Sequence, residues 1–133
     1  MSRVSKRIEN FNRAFVLYST MRDEYISSNT DSTRLALTQS FEIVVELGWK
    51  VLKDYLFEKA IEVDTPVDAV KAAFGANVIQ DGQIWIDMVK DRNASSHEYN
   101  SDKIEKIIVK IANIYYDELC KFKKWLENIN DLI

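Results

Sequence analysis

What most constrains this chain is the interval between its apolar residues, together with how seldom anything interrupts it. From Val4, the residues Ile8, Phe11, Phe15, Tyr18 and Tyr25 keep a three-or-four spacing, which on a helix draws a single buried stripe. The interval returns in Leu37, Phe41, Val44, Gly48, Val51 and Tyr55, and again from Ile104 through Ile107, Ile108, Ile111, Ile114, Tyr115, Leu119, Phe122 and Leu126 to Ile129. Only 3 glycines and 1 proline stand in 133 residues, so little stops these runs from continuing over many turns. Strand-like alternation, internal repeats and low-complexity segments are missing from the sequence. The pattern predicts an all-α, up-and-down helical bundle of three long and two short helices, formed as a single domain over residues 1–133.

The boundaries follow from capping chemistry. The first helix is expected over about residues 3 to 27, and the polar stretch Ser27-Ser28-Asn29-Thr30-Asp31 ends it. Either Thr30 or Asp31 can cap a second helix, which runs to about Glu58. That helix carries a second stripe, Val45, Trp49, Leu52 and Leu56, so it reads as a central helix with neighbours on more than one side. Glu42, Glu46, Lys50 and Lys53 form a polar line along it, with Glu46 and Lys50 oriented for an i,i+4 pair. A solvated face and a cleft wall both account for that line. Gly48 costs roughly 1 kcal/mol against Ala in a helix, which suggests a close helix crossing.

Thr65-Pro66-Val67-Asp68 is a strong start signal, with Thr as cap and Pro in the first turn. A short helix over about residues 66 to 76 follows, then a link from Asn77 to Asp81, then a helix whose apolar side is Ile84, Trp85, Met88 and Val89. Asn100 or Ser101 can cap one last helix, about as long as the first two. The aromatic content includes Trp85, Trp125 and the pair Tyr115-Tyr116, which can fill a core or furnish a homodimer face. The second use is the one expected here.

Bulk composition excludes several classes. Hydrophobic residues at 47% and charged residues at 29% describe an ordered chain rather than a disordered one. Cys120 is the single cysteine and His97 the single histidine, so neither an internal disulfide nor a zinc site of the usual ligand count can be built. Neither a metal nor a cofactor is expected. The opening Met1-Ser2-Arg3-Val4-Ser5-Lys6-Arg7 lacks the apolar core of a signal peptide, and no run is long enough to span a bilayer. A cytoplasmic location follows as an expectation. With net charge −3 and pI near 5.2 there is no global basic field, so RNA binding would need a local patch or a partner.

The polar knot Lys90-Asp91-Arg92-Asn93-Ala94-Ser95-Ser96-His97-Glu98-Tyr99 lies between two helical runs. An always-charged arginine stands five residues before a side chain that titrates near neutrality. Asn93 and His97 are four apart, so the amide can hold one imidazole nitrogen and fix the tautomer. A straight helix would splay Arg92 and His97 by about 140°, so they converge only if the helix bends or ends near Ala94 to Ser96, or if a second protomer closes the gap. Converged, they suit RNA cleavage: histidine moves protons to and from the 2′-hydroxyl and the leaving 5′-oxygen, and arginine stabilises the phosphorane oxygens. One His per chain cannot readily be both base and acid, so two copies of His97 in one cleft point to a dimer. The structural alternative for His97 is a hydrogen-bonding residue at a helix end. For Arg92 it is an ion pair with Asp91, Asp87 or Glu98, and for Tyr99 packing under the turn.

Arg92 to Tyr99 resembles the R-N-x-x-x-H signature of the HEPN domain superfamily, in the R-x4-H-x-Y form of toxins paired with minimal nucleotidyltransferases (MNT). Asp91 and the run from Phe41 to Leu56 look like the nucleotidyltransferase substrate-binding protein branch, and the likeness covers about residues 5 to 127. The resemblance implies a homodimer with two R-x4-H motifs facing across a cleft and a metal-independent endoribonuclease activity. It also implies an MNT antitoxin that transfers AMP to Tyr99. Arg92 and His97 would then be catalytic with Asn93 orienting His97, and Glu42, Glu46, Asp91 and Ser96 are candidates for the cleft lining. An AMP group on Tyr99 would place charge and bulk where RNA phosphate must sit. The alternative is a non-catalytic substrate- or nucleotide-binding subunit of a two-component nucleotidyltransferase.

Overall fold

The computed structural model describes residues 3–95 and 102–129. Those residues contain six helical segments: α1 (Arg3–Ser27), α2 (Asp31–Glu58), α3 (Pro66–Gly75), α4 (Gly82–Ser95), α5 (Asp102–Ala112) and α6 (Ile114–Ile129). Thr30 is the cap of α2: its side chain accepts from Thr33 N–H while Thr33 answers to the Thr30 backbone, a reciprocal box. Thr65 caps α3 in the expected way, accepting from Asp68 N–H at 3.1 Å, with Pro66 in the first turn. The connection between α1 and α2 is so short that the two lie side by side in opposite directions.

α2 is the central element, in contact with α1, α3, α4 and α5. Both of its stripes are used: Leu37, Phe41, Val44, Val45, Val51, Leu52 and Leu56 are all buried. Gly48 is buried too, facing Phe11 and Trp85, but a Cβ added there would lie 3.5 Å from the Phe11 ring and 3.6 Å from Trp85. Those are ordinary contact distances, so the crossing is close without requiring glycine.

The surplus aromatics go mainly into the protomer's own core. Trp85 meets Phe122 edge-on at 5.0 Å, Tyr115 stacks on Phe41 at 5.5 Å, Tyr116 stacks on Phe15 at 5.8 Å, and Trp125 meets Tyr55 at 5.0 Å. Trp85 and Tyr115 are fully buried, and Tyr116 and Trp125 pack partly buried against the core. Intramolecular contacts thus account for all four, while Tyr116 and Trp125 keep part of their surface exposed.

α5 and α6 together fill the position of the third long helix, with an interruption at Asn113. The cause lies in α1. Tyr18 hydroxyl donates to the Ile111 carbonyl, and Arg22 Nε donates to the Ala112 carbonyl at 2.6 Å. Those two carbonyls would otherwise receive the ladder bonds of Tyr115 and Tyr116, so side chains inserted from α1 bend the helix here. Asn113 contributes by donating its side-chain amide to Val109 O at 2.8 Å. No helix among the described residues is long and apolar enough to cross a membrane.

Candidate functional site

The buried stripe of α4 carries the functional side chains to α2. Trp85 and Met88 are core residues, and continuing their interval brings Arg92 and then Ser95 onto the same face. Opposite them on α2 stand Glu42 and Glu46, one turn apart. Ser95, only 2% exposed, has its hydroxyl 2.8 Å from Glu42 Oε2 and 3.0 Å from its own helix's Arg92 carbonyl. Arg92 Nη2 lies 3.5 Å from Glu46 Oε2. The two contacts pin the end of α4 to the middle of α2.

Glu46 is a hub. Its Oε2 also accepts from Trp49 Nε1 at 3.1 Å, and its Oε1 lies 3.4 Å from Lys50 Nζ. Arg92 Nη1 donates to Asn93 Oδ1 at 3.2 Å, while Arg92 Nε is buried with no hydrogen-bond partner among the described residues. The surface between the helices is an open groove of about 430 Å3 lined by Gln39, Glu42, Ile43, Glu46, Leu47 and Arg92. Arg92 and Glu46 are each about one third exposed, so the guanidinium is anchored but reachable from solvent.

Asp91 turns to the other side of α4. It accepts from Tyr115 hydroxyl and lies 3.6 Å from Lys110 Nζ. Burial, then the hydrogen bond and charge of Asp91, hold the Tyr115 hydroxyl well above its usual pKa of 10.0, so it stays a donor. Asp91 thus ties α4 to α5 and α6, leaving Arg92 to face α2. Asp87, the other nearby acid, accepts from Gln83 instead.

Of the residues proposed from the sequence, Arg92, Glu42 and Glu46 come together at this groove, and Asn93 accepts from Arg92 beside it. Asp91 lies at the α4–α5–α6 junction. His97, Ser96 and Tyr99, with the cap at Asn100 or Ser101 and the turn expected near Ala94 to Ser96, fall at or beyond the edge of the described residues, and 96–101 lie outside them. The polar line of α2 faces α4 at Glu42 and Glu46, and its Glu46–Lys50 pair is formed. Ser95, Trp49 and the groove residues Gln39, Ile43 and Leu47 carried no motif of their own. Extending the Trp85–Met88 stripe by two turns would have found Ser95.

Chemically, the arrangement offers one cation that can meet an anionic oxygen once it leaves Glu46, a second cation in Lys50, and two carboxylates that oppose a bulky anion. A family model described as "Nucleotidyltransferase substrate binding protein like" matches residues 6–128. Among curated proteins none matches the chain.

Proposed function

The chain belongs to the nucleotidyltransferase substrate-binding-like family, and from that premise we propose that it is the toxin of an HEPN/MNT toxin–antitoxin pair. In this reading it is a cytoplasmic, homodimeric, metal-independent endoribonuclease. The observation that carries the reading is Arg92: a guanidinium anchored through Glu46 and Asn93 at the rim of an open groove, five residues ahead of the chain's one histidine.

On binding, an RNA phosphate displaces Glu46 from Arg92, whose planar fork then takes two oxygens of the scissile phosphate. His97 accepts the proton of the 2′-hydroxyl as that oxygen attacks phosphorus. The copy of His97 on the second protomer gives a proton to the departing 5′-oxygen. Charge that builds on the equatorial oxygens is met by Arg92, whose position is already fixed. Asn93 orients His97, and the Tyr99 hydroxyl gives up its proton and takes AMP from ATP held by a nucleotidyltransferase partner, pyrophosphate leaving, which silences the cleft.

A second reading has a specific observation behind it. Glu42 and Glu46 place negative charge in the groove and the chain carries net charge −3, which suits a non-catalytic subunit that presents substrate to its nucleotidyltransferase. Incubating purified protein with structured RNA in excess chelator separates the two. The ribonuclease reading expects cleavage by the wild type and none by His97→Ala. Equal residual activity in both leaves the binding-subunit reading.

A further inference from the structure

A second cavity, sharing no lining residue with the α2–α4 groove, has the makings of a binding site. It lies between the α3–α4 connection, α4 and α6, holds about 100 Å3, and is lined by Val78, Ile79, Trp85, Glu118, Phe122 and Trp125 among others. Glu118 is only 4% exposed, and its Oε2 is buried with no hydrogen-bond partner among the described residues. An acceptor in that state is rare in a folded protein and calls for an explanation. Lys121 stands three residues on and lines the same cavity; its charge acts on Glu118, but it does not hydrogen-bond the buried Oε2.

The remaining walls narrow the chemistry. Phe122 lies at the centre of an aromatic group, with its ring 5.0 Å from Trp85 in an edge contact and 5.9 Å from Trp125 in a stacked one. Aromatic rings beside one carboxylate attract a cation through both charge and ring quadrupole. A single carboxylate among rings is a poor set for a hard metal ion, which wants six or more oxygens or ordered water. An anion would meet Glu118 directly. The volume admits the head of an alkylammonium or guanidinium ion and excludes a nucleotide.

We propose that this cavity binds a small organic cation, an ammonium or guanidinium head group, with Glu118 as counter-ion and the rings of Trp85, Phe122 and Trp125 as its walls. The head group can belong to a free amine or to a lysine or arginine side chain of a partner protein. Neither source depends on the ribonuclease reading.

The rings supply the readout. Tryptophan emission of the Trp49→Phe variant, which leaves Trp85 and Trp125 as reporters, is titrated with n-butylammonium and with methylguanidinium at constant ionic strength, and with n-butanol as the neutral control. The proposal expects a saturable change with both cations and none with butanol. Glu118→Gln, which keeps the shape, should weaken the response roughly tenfold or more. Intact melting of Glu118→Gln shows that the loss is not unfolding. Repeating the titration with the cognate nucleotidyltransferase present distinguishes the sources: a side chain from that partner blocks the response, and a free-amine site still titrates. A response that does not saturate, that butanol reproduces, or that survives Glu118→Gln unchanged overturns the proposal.

Discussion

Glu46→Gln is the substitution whose consequences the groove geometry specifies most fully. The Gln amide oxygen can still accept from Trp49 Nε1, now at 3.1 Å from Oε2, but the charge that holds Arg92 at 3.5 Å and Lys50 at 3.4 Å is gone. Arg92 and Glu46 are each about one third exposed, so solvent screens the pair to about 0.2–1 kcal/mol. The Glu46–Lys50 pair along α2 adds about 0.3–0.5 kcal/mol. The variant should therefore lose only about 0.5–1.5 kcal/mol of stability, a fall of about 2–8 °C in Tm. The Arg92 part of that energy, about 0.2–1 kcal/mol, no longer has to be overcome when a phosphate takes Arg92. Binding of RNA should tighten by roughly one-and-a-half- to fivefold at low salt and converge on the parent as salt rises. Fluorescence anisotropy of a labelled single-stranded RNA, with His97→Ala in both proteins to prevent cleavage, measures this directly. Weaker binding by Glu46→Gln would mean the opposite, that Glu46 helps hold the bound anion rather than competing with it for Arg92.

Three further outcomes are expected. Gly48→Ala places a methyl at ordinary contact distance from Phe11 and Trp85 and restores helix propensity, so urea denaturation should show a gain of about 1 kcal/mol, and a loss of that size would mean the crossing cannot take a Cβ. Tyr115→Phe keeps the stack on Phe41 but leaves Asp91 with Lys110 alone, which should cost about 1–2 kcal/mol in the same assay, whereas no change would mean that Asp91 is served equally well by water. Burial raises the Glu118 carboxyl above its usual 4.5, so the folded protein holds that proton more tightly than the unfolded chain, and the contribution is complete below about pH 4.5 and lost as pH rises through the folded value. Calorimetry should accordingly find Glu118→Gln no different from the parent at about pH 4 and more stable at about pH 7, and a difference constant across that range would contradict the assignment.

The helix starts were legible because their causes are local. Thr65-Pro66 and Thr30 announce α3 and α2 through side chains that reach only three residues ahead. The interruption at Asn113 was not, since it is made by Tyr18 and Arg22, 93 and 90 residues from the carbonyls they bind. The partner of Arg92 was hidden for the same reason. Asp91 and Asp87 were the nearest acids in sequence, but Tyr115 and Lys110 claim the first and Gln83 the second. Glu46 reaches Arg92 from another helix, on a face that sequence alone left open between solvent and cleft. Three-dimensional packing finds intramolecular partners for Trp85, Trp125, Tyr115 and Tyr116 that no linear interval displays, so their number in the sequence did not separate core from face.

If Arg92 and His97 together cleave RNA by attack of the 2′-hydroxyl, the ends of the products carry its signature. In excess chelator, wild-type protein should release fragments that end in a 2′,3′-cyclic phosphate opposite a 5′-hydroxyl, and Arg92→Ala and His97→Ala should release none. Fragments bearing a 5′-phosphate, or the same fragments from either variant, would contradict it.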